Sequence, residues 1–179
     1  MKVKNHYPDP RNRNDSWTYQ DYKQTVENDG RTIRFTTNDS GRFPWGTSIR
    51  VIELPPGLAL NLCLTLEVEG TANLDWGYIF MMYDAAKQAS DFSSILCQWR
   101  TPAIHSAKRF VVPESGKVRI QYVLPKTAGE SIAISDIAIV DDAALEWMRN
   151  NDEWWIHGDI MPLPGRGVNE WVSSSHSSL

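Results

Sequence analysis

The sequence predicts an all-β fold, a β-sandwich or jelly roll, and three observations carry the prediction. Apolar residues recur with a period of two, strand-length runs are punctuated by Gly, Pro and Asn turns, and no long helical pattern intervenes. The strongest run is Ala59–Glu69. Leu60, Leu62, Leu64, Leu66 and Val68 share one parity there, and Asn61, Cys63, Thr65, Glu67 and Glu69 share the other. A strand sends the first set to one face; a helix could not gather them on one stripe.

The other elements follow in chain order. Residues 1–30 read as an irregular N-terminal arm packed on the domain, polar, with Pro8 and Pro10 and an aromatic patch at Trp17, Tyr19 and Tyr22. The arm has room for one edge strand, at 17–20. After the turn signal Asn28-Asp29-Gly30, β-branched residues mark a strand at 31–36, closed by Asn38-Asp39-Ser40-Gly41. A second spans 47–54 and ends at Pro55-Pro56-Gly57. Residues 74–83 are apolar on both parities, which suits a central strand covered on both faces. Further strands fall at 94–100, 108–112 and 118–124. Ile132 and Ile134 share a parity, whereas Ile137 and Ile139 share the opposite one. That slip at Ser135-Asp136 predicts a β-bulge or a strand changing sheets. A short helix is expected over 143–150, capped by Asp142. The sandwich core is thus assigned to residues 31–140. The helix and a Pro/Gly/Ser-rich C-terminal strap occupy 141–179 of the same domain, with Trp154, Trp155 and Trp171 packing back onto it.

Composition narrows the function. With 179 residues, 41% hydrophobic and 22% charged, the chain can bury a core without staples. Its net charge of −4, with Lys and Arg scattered, offers no phosphate-attracting stripe, so nucleic acid is not expected as a partner. No run has the apolar length of a membrane helix, and Met1-Lys2-Val3-Lys4-Asn5-His6-Tyr7-Pro8 has charge but no apolar stretch behind it, unlike a secretion signal. Cys63 and Cys97 lie in separate apolar runs and read as two buried thiols.

No catalytic pattern emerges. His6, His105, His157 and His176 lack partners at metal-binding spacing, and HExxH, P-loop and GxSxG motifs are absent. His157-Gly158-Asp159 reads as a turn, Asp141-Asp142 as a helix start, and Glu67 with Glu69 as a solvated strand face. No catalytic residue, metal ligand or cofactor is therefore assigned. Asp136 could serve the structural calcium that sugar-binding jelly rolls often hold, but nothing in the sequence completes such a site.

The eight tryptophans are the anomaly. Trp76, Tyr78 and Phe80 share one strand parity. Trp45 and Trp99 sit beside turn or polar residues; Trp99 stands between Gln98 and Arg100, and Trp76 follows Asp75. A sugar groove combines an exposed indole, which stacks on C–H faces, with polar groups that fix hydroxyls. Trp45, Trp76, Trp99, Gln98 and Arg100 are accordingly the candidate carbohydrate-binding residues.

Three segments resemble a known pattern. Asn5-His6-Tyr7-Pro8-Asp9-Pro10-Arg11 is similar to the NxxPDPR or NPNP opening of modules in minor tail proteins of actinobacterial phages and prophages. Ile134-Ser135-Asp136-Ile137-Ala138-Ile139-Val140 resembles the last strand of galactose-binding-like and carbohydrate-binding jelly rolls. Trp154-Trp155-Ile156-His157-Gly158-Asp159, followed by Asn169-Glu170-Trp171-Val172-Ser173, resembles the YFDGDTP…YxWTGT close of the phage modules. Ile156-His157 replaces the usual Phe-Asp there, and Val172-Ser173 the usual Thr-Gly.

The resemblance implies a galactose-binding-like jelly-roll module at a phage tail or its tip. Other virion tail proteins would be its partners, with host cell-wall polysaccharide as a ligand and oligomerisation open. The module would be made in the host cytoplasm and would reside in the virion. A cellular carbohydrate-binding module and a purely architectural virion protein are the alternative readings.

Overall fold

The computed structural model describes residues 3–12, 22–38, 47–69, 78–86, 91–96, 104–123, 127–154, 156, 160–162 and 171–173. In chain order its strands are β1 (Tyr22–Glu27), β2 (Thr32–Thr37), β3 (Thr47–Glu53), β4 (Ala59–Glu69), β5 (Tyr78–Asp84), β6 (Asp91–Leu96), β7 (Ile104–Val111), β8 (Lys117–Val123), β9 (Ser131–Val140), β10 (Ile160–Pro162) and β11 (Trp171–Ser173). The helix α1 (Asp142–Asn151) separates β9 from β10. All pairings are antiparallel. A five-stranded sheet runs β1-β2-β9-β4-β7, a four-stranded sheet β3-β8-β5-β6, and β10 pairs with β11.

The two large sheets share one core. Leu60, Leu62, Leu64, Leu66 and Val68 of β4 meet Ile52 of β3 and Val118 and Ile120 of β8, with Ile33 and Phe35 of β2 beside them. Each such aliphatic or aromatic side chain contributes about 1.5–3 kcal/mol by leaving water.

The predicted phase slip is a bulge. Thr65 pairs with Ser135 but Cys63 with Ala138, so two steps of β4 face three of β9. Asp136 takes up the extra residue in the left-handed region at φ 58°. Ile132, Ile134, Ile137 and Ile139 consequently all reach the same core despite opposite parities.

The outer face of β4 is not uniformly solvated. Cys63 lies with Val3, Ala138, Val140, Ala144, Leu145, Met148 and Ile156 in a second, smaller core beneath α1 and the start of the strap. Further along the strand Glu67 is half-buried and Glu69 exposed. The helix begins one residue earlier than expected: Asp141, not Asp142, caps it, its Oδ1 accepting from the Ala144 N–H at 2.7 Å. Asp142 instead anchors the helix to the sheet, accepting from Asn61 Nδ2 at 2.7 Å and facing Arg109 Nε at 3.4 Å. These contacts, the Asn61 bond first, hold its carboxyl below the usual range.

The N-terminal arm is irregular through Asn12, but its last part forms β1, an edge strand that no sequence signal marked. Where β2 stops pairing with β9 at Ser135, the arm takes over. The His6 N–H donates to Ile139 O at 2.7 Å, and the Ile139 N–H donates to Asn5 Oδ1 at 2.9 Å. Asn5 Nδ2 donates to Ile156 O at 2.6 Å, so one side chain ties arm, sheet and strap together. Of the tryptophans expected to strap the sandwich, Trp154 packs half-buried on the second core. Trp155 and the side chain of Trp171 lie outside the described residues, as do 17–20, Cys97 and His157-Gly158-Asp159.

Cys63 is a free, fully buried thiol. Burial pushes its pKa from 9.0 up to about 12, so the folded chain holds this proton more tightly than the unfolded chain. Its contribution to stability is full below pH 9 and is lost as the pH rises toward 12. Urea unfolding midpoints of the wild type are therefore expected to fall more steeply over that window than those of Cys63→Ala. Equal slopes would show that the thiol does not titrate with unfolding.

Candidate functional site

The carbohydrate-binding residues expected from sequence, Trp45, Trp76, Trp99, Gln98 and Arg100, all lie outside the described residues. The strands they adjoin are described. Thr47 at the start of β3 pairs with Val123 at the end of β8, Tyr122 pairs with Phe80 of β5, and Tyr78 at the start of β5 pairs with Leu96 at the end of β6. The four strand ends therefore form one end of the four-stranded sheet. Trp45 and Trp76 stand two residues before β3 and β5, and Gln98, Trp99 and Arg100 two to four residues after β6.

Val118 and Ile120 of β8 point into the core, so Lys117, Arg119 and Gln121 alternate to the outer face of this sheet. Arg119 Nη2 donates to Gln121 Oε1 at 2.7 Å. Val51, opposite Arg119 on β3, is 51% exposed, and Lys117 faces Glu53 at 3.8 Å. A guanidinium and an amide held in register beside apolar surface can bond hydroxyls. They form no acid–base pair.

The outer face of the five-stranded sheet carries a second polar group, which sequence reasoning missed. On β2, Arg34 sits among three carboxylates, with Glu27 Oε1 at 2.9 Å, Glu69 at 3.3 Å and Glu67 at 3.7 Å, and it also donates to Ser131 Oγ at 3.0 Å. Beside it the bulge holds Asp136. Both oxygens of this buried carboxylate are engaged, one by Arg31 Nε and the other by Thr65 Oγ1 at 2.9 Å. The residue considered as a calcium ligand thus serves the bulge instead. Its hydrogen bond raises the Arg31 guanidinium above its ordinary value. Thr65 Oγ1 also lies 2.6 Å from His105 Nδ1, and the His105 ring stacks on Trp154 with centroids 4.6 Å apart and planes 2° from parallel. Among the described residues no group of three His, Cys, Asp or Glu could hold a metal ion.

The N-terminal motif is internal. Tyr7 lies in the main core, its hydroxyl accepting from Arg50 Nη1 at 2.7 Å, and Asp9 Oδ2 sits 3.7 Å from Arg50 Nη2. Asn5, Tyr7 and Asp9 hold the fold together and are not exposed for ligand contact.

Comparison with known proteins agrees with this architecture. No protein-family model matches the chain, and no curated protein does. A family 4 carbohydrate-binding module matches with a TM-score of 0.53 at 12% identity, over 78% of this chain and 94% of that one. The fold is a carbohydrate-binding-module-like β-sandwich. The enzymatically active domain of tailspike protein 4 from bacteriophage CBA120 contains a similar unit, with a TM-score of 0.50 and 14% identity over 74% of this chain. The match covers 20% of that tailspike chain, so this chain corresponds to one part of a much longer protein. At these identities the likeness is one of fold.

Proposed function

We propose that the chain is a non-catalytic module of a phage or prophage tail that binds host cell-surface polysaccharide without cleaving it. The observation that carries this reading is the sandwich itself, which matches a carbohydrate-binding module over 94% of that module's length. The tail assignment draws support from the tailspike that holds a similar sandwich, and from the ordered N- and C-terminal segments that resemble phage tail modules. In this reading the module resides in the virion, with other tail proteins as its neighbours.

The glycan site is proposed at the common end of β3, β5, β6 and β8. Covalent geometry limits how far a residue can stray from a strand end, to about 3.6 Å per residue. Trp45 and Trp76 precede the first residues of β3 and β5 by two positions, and Trp99 follows the last residue of β6 by three. Three tryptophans separated widely in sequence thus flank strand ends that share one rim. Arg119 and Gln121 provide hydrogen-bonding groups on the adjoining face. Stacking indoles beside fixed polar groups recognise sugars.

The test is retention of the purified chain on intact cell walls and extracted polysaccharides of Gram-positive actinobacteria. Retention that Trp99→Ala weakens about tenfold, equivalent to about 1.4 kcal/mol, is the expected result. No retention on any wall by a folded protein would overturn the glycan reading and leave an architectural virion part. Retention unchanged in Trp99→Ala would remove the site from this rim.

A further inference from the structure

The stack of His105 on Trp154 has no part in the glycan site proposed above, and it lies on the other sheet. We propose that it forms a second, separate binding site on the outer face of the five-stranded sheet, one that takes a single uncharged sugar ring. The chemistry begins at Thr65. Its hydroxyl has one proton, and an acceptor-only carboxylate, Asp136, lies 2.9 Å away to receive it. In the 2.6 Å contact with His105 the imidazole must then be the donor, through Nδ1–H. When the imidazole carries a single proton, that proton is therefore on Nδ1, and Nε2 is an acceptor on the side of the ring away from Thr65.

The pose is fixed as firmly as the tautomer. Asp136 is held by the bulge and by Arg31, Thr65 is 6% exposed, and Trp154 lies parallel against the imidazole face. His105 nevertheless remains exposed. Ordering a surface side chain this completely costs conformational entropy. The strap has an anchor of its own besides this stack, since Ile156 is fully buried and its carbonyl accepts from Asn5. An oriented, exposed ring backed by an indole is a preorganised recognition surface.

The neighbours select the ligand. One pair further along β4, the Glu67 carboxylate is 44% exposed and faces Arg34 at 3.7 Å. Nε2 and Glu67 both accept hydrogen bonds, so they suit a ligand rich in hydroxyl donors. Glu27, Glu67 and Glu69 outnumber Arg34 on this face, which disfavours phosphate, uronate or nucleic acid. A neutral pyranose offers hydroxyl donors and a C–H face for the rings.

The test is NMR of the ¹⁵N-labelled chain, following His105 Nε2 and the Trp154 indole N–H. The probes are methyl pyranosides of glucose, galactose, mannose, rhamnose and N-acetylglucosamine. At least one is expected to shift both signals saturably, in the wild type and equally in Trp99→Ala, and to lose that effect in His105→Ala. His105→Phe keeps a ring on Trp154 and is expected to retain the wild-type melting temperature without responding to sugar. If no probe moves the His105 signal up to its solubility limit, the second site is overturned. It is equally overturned if the shift disappears in Trp99→Ala, because the response would then belong to the four-stranded rim. Cell-wall retention measured in the His105→Ala background reads the first site without the second, so either site can fail alone.

Discussion

Replacing Arg50 by alanine is expected to lower the unfolding free energy by about 3–5 kcal/mol, the cost of breaking a buried ion pair from one side. Arg50 and Asp9 are each only 5% exposed, and the guanidinium carbon lies 4.8 Å from the Tyr7 ring centroid while Nη1 bonds the Tyr7 hydroxyl. Burial pushes the Tyr7 hydroxyl well above its ordinary pKa, so it stays neutral and accepts from Arg50. Truncating Arg50 removes the bond to Tyr7, the cation over its ring and the charge facing Asp9 together. Because Asp9 belongs to the arm and Arg50 to an edge strand of the opposite sheet, the loss loosens the arm from the sandwich. Urea denaturation measures it. The double variant Arg50→Met with Asp9→Leu is expected to recover much of the loss, since an apolar pair leaves no isolated charge. A cost for Arg50→Ala below about 1 kcal/mol would place the pair in the surface class and would mean that the arm is held by its apolar contacts and its hydrogen bonds through Asn5, His6 and Asn12.

The sequence exposed the fold where burial on one face imposes a two-residue period. β4 carries that period along its whole length, and its predicted bounds are those of the structure. The bulge at Asp136 was legible for the same reason: an extra residue reverses the parity of everything that follows, and Ile132, Ile134, Ile137 and Ile139 record the reversal. β1 was not legible because it is an edge strand. Only Tyr22 of its residues is buried, and Val26 is 45% exposed, so no alternation develops. The helix start was misplaced by one residue because Asp141 and Asp142 are equally good caps in isolation. Contacts with Asn61 and Arg109, distant in the chain, decide between them.

The candidate sites divide along the same line. Tryptophans beside polar residues are visible in sequence, and strand pairing then brings together the strand ends that they flank, which a linear reading lacks. The second site had no sequence signal. Arg31, Thr65, His105, Asp136 and Trp154 come from five separate segments, and only the pairing of β4 with β7 and β9 puts Thr65 beside both His105 and Ser135. Asp136 is next to Ser135, but it faces Thr65 because the bulge turns it there.

Gly30→Ala is expected to be more damaging than any side-chain truncation on the surface, by more than about 4 kcal/mol. Gly30 follows Asn28 and Asp29, both also in the left-handed region, and itself has φ 87°. Its carbonyl accepts from Asn12 Nδ2 at 2.9 Å, which draws the arm against the turn. A Cβ built on Gly30 would lie 1.9 Å from the Arg11 carbonyl oxygen and 2.8 Å from its carbon. These are backbone atoms and cannot swing aside as the end of a flexible side chain could. The arm must move, and Tyr7 and Asp9 are only a few residues away on the same segment. Gly57→Ala separates this clash from backbone strain. Gly57 has a similar φ of 78°, yet its Cβ would meet nothing within 4 Å. That substitution is therefore expected to cost only the left-handed strain, about 1–2 kcal/mol. Denaturant midpoints of the two variants decide the matter. Equal losses would mean that the Gly30 turn yields without displacing the arm, whereas a far larger loss at Gly30 would mean that the arm is part of the cooperative fold.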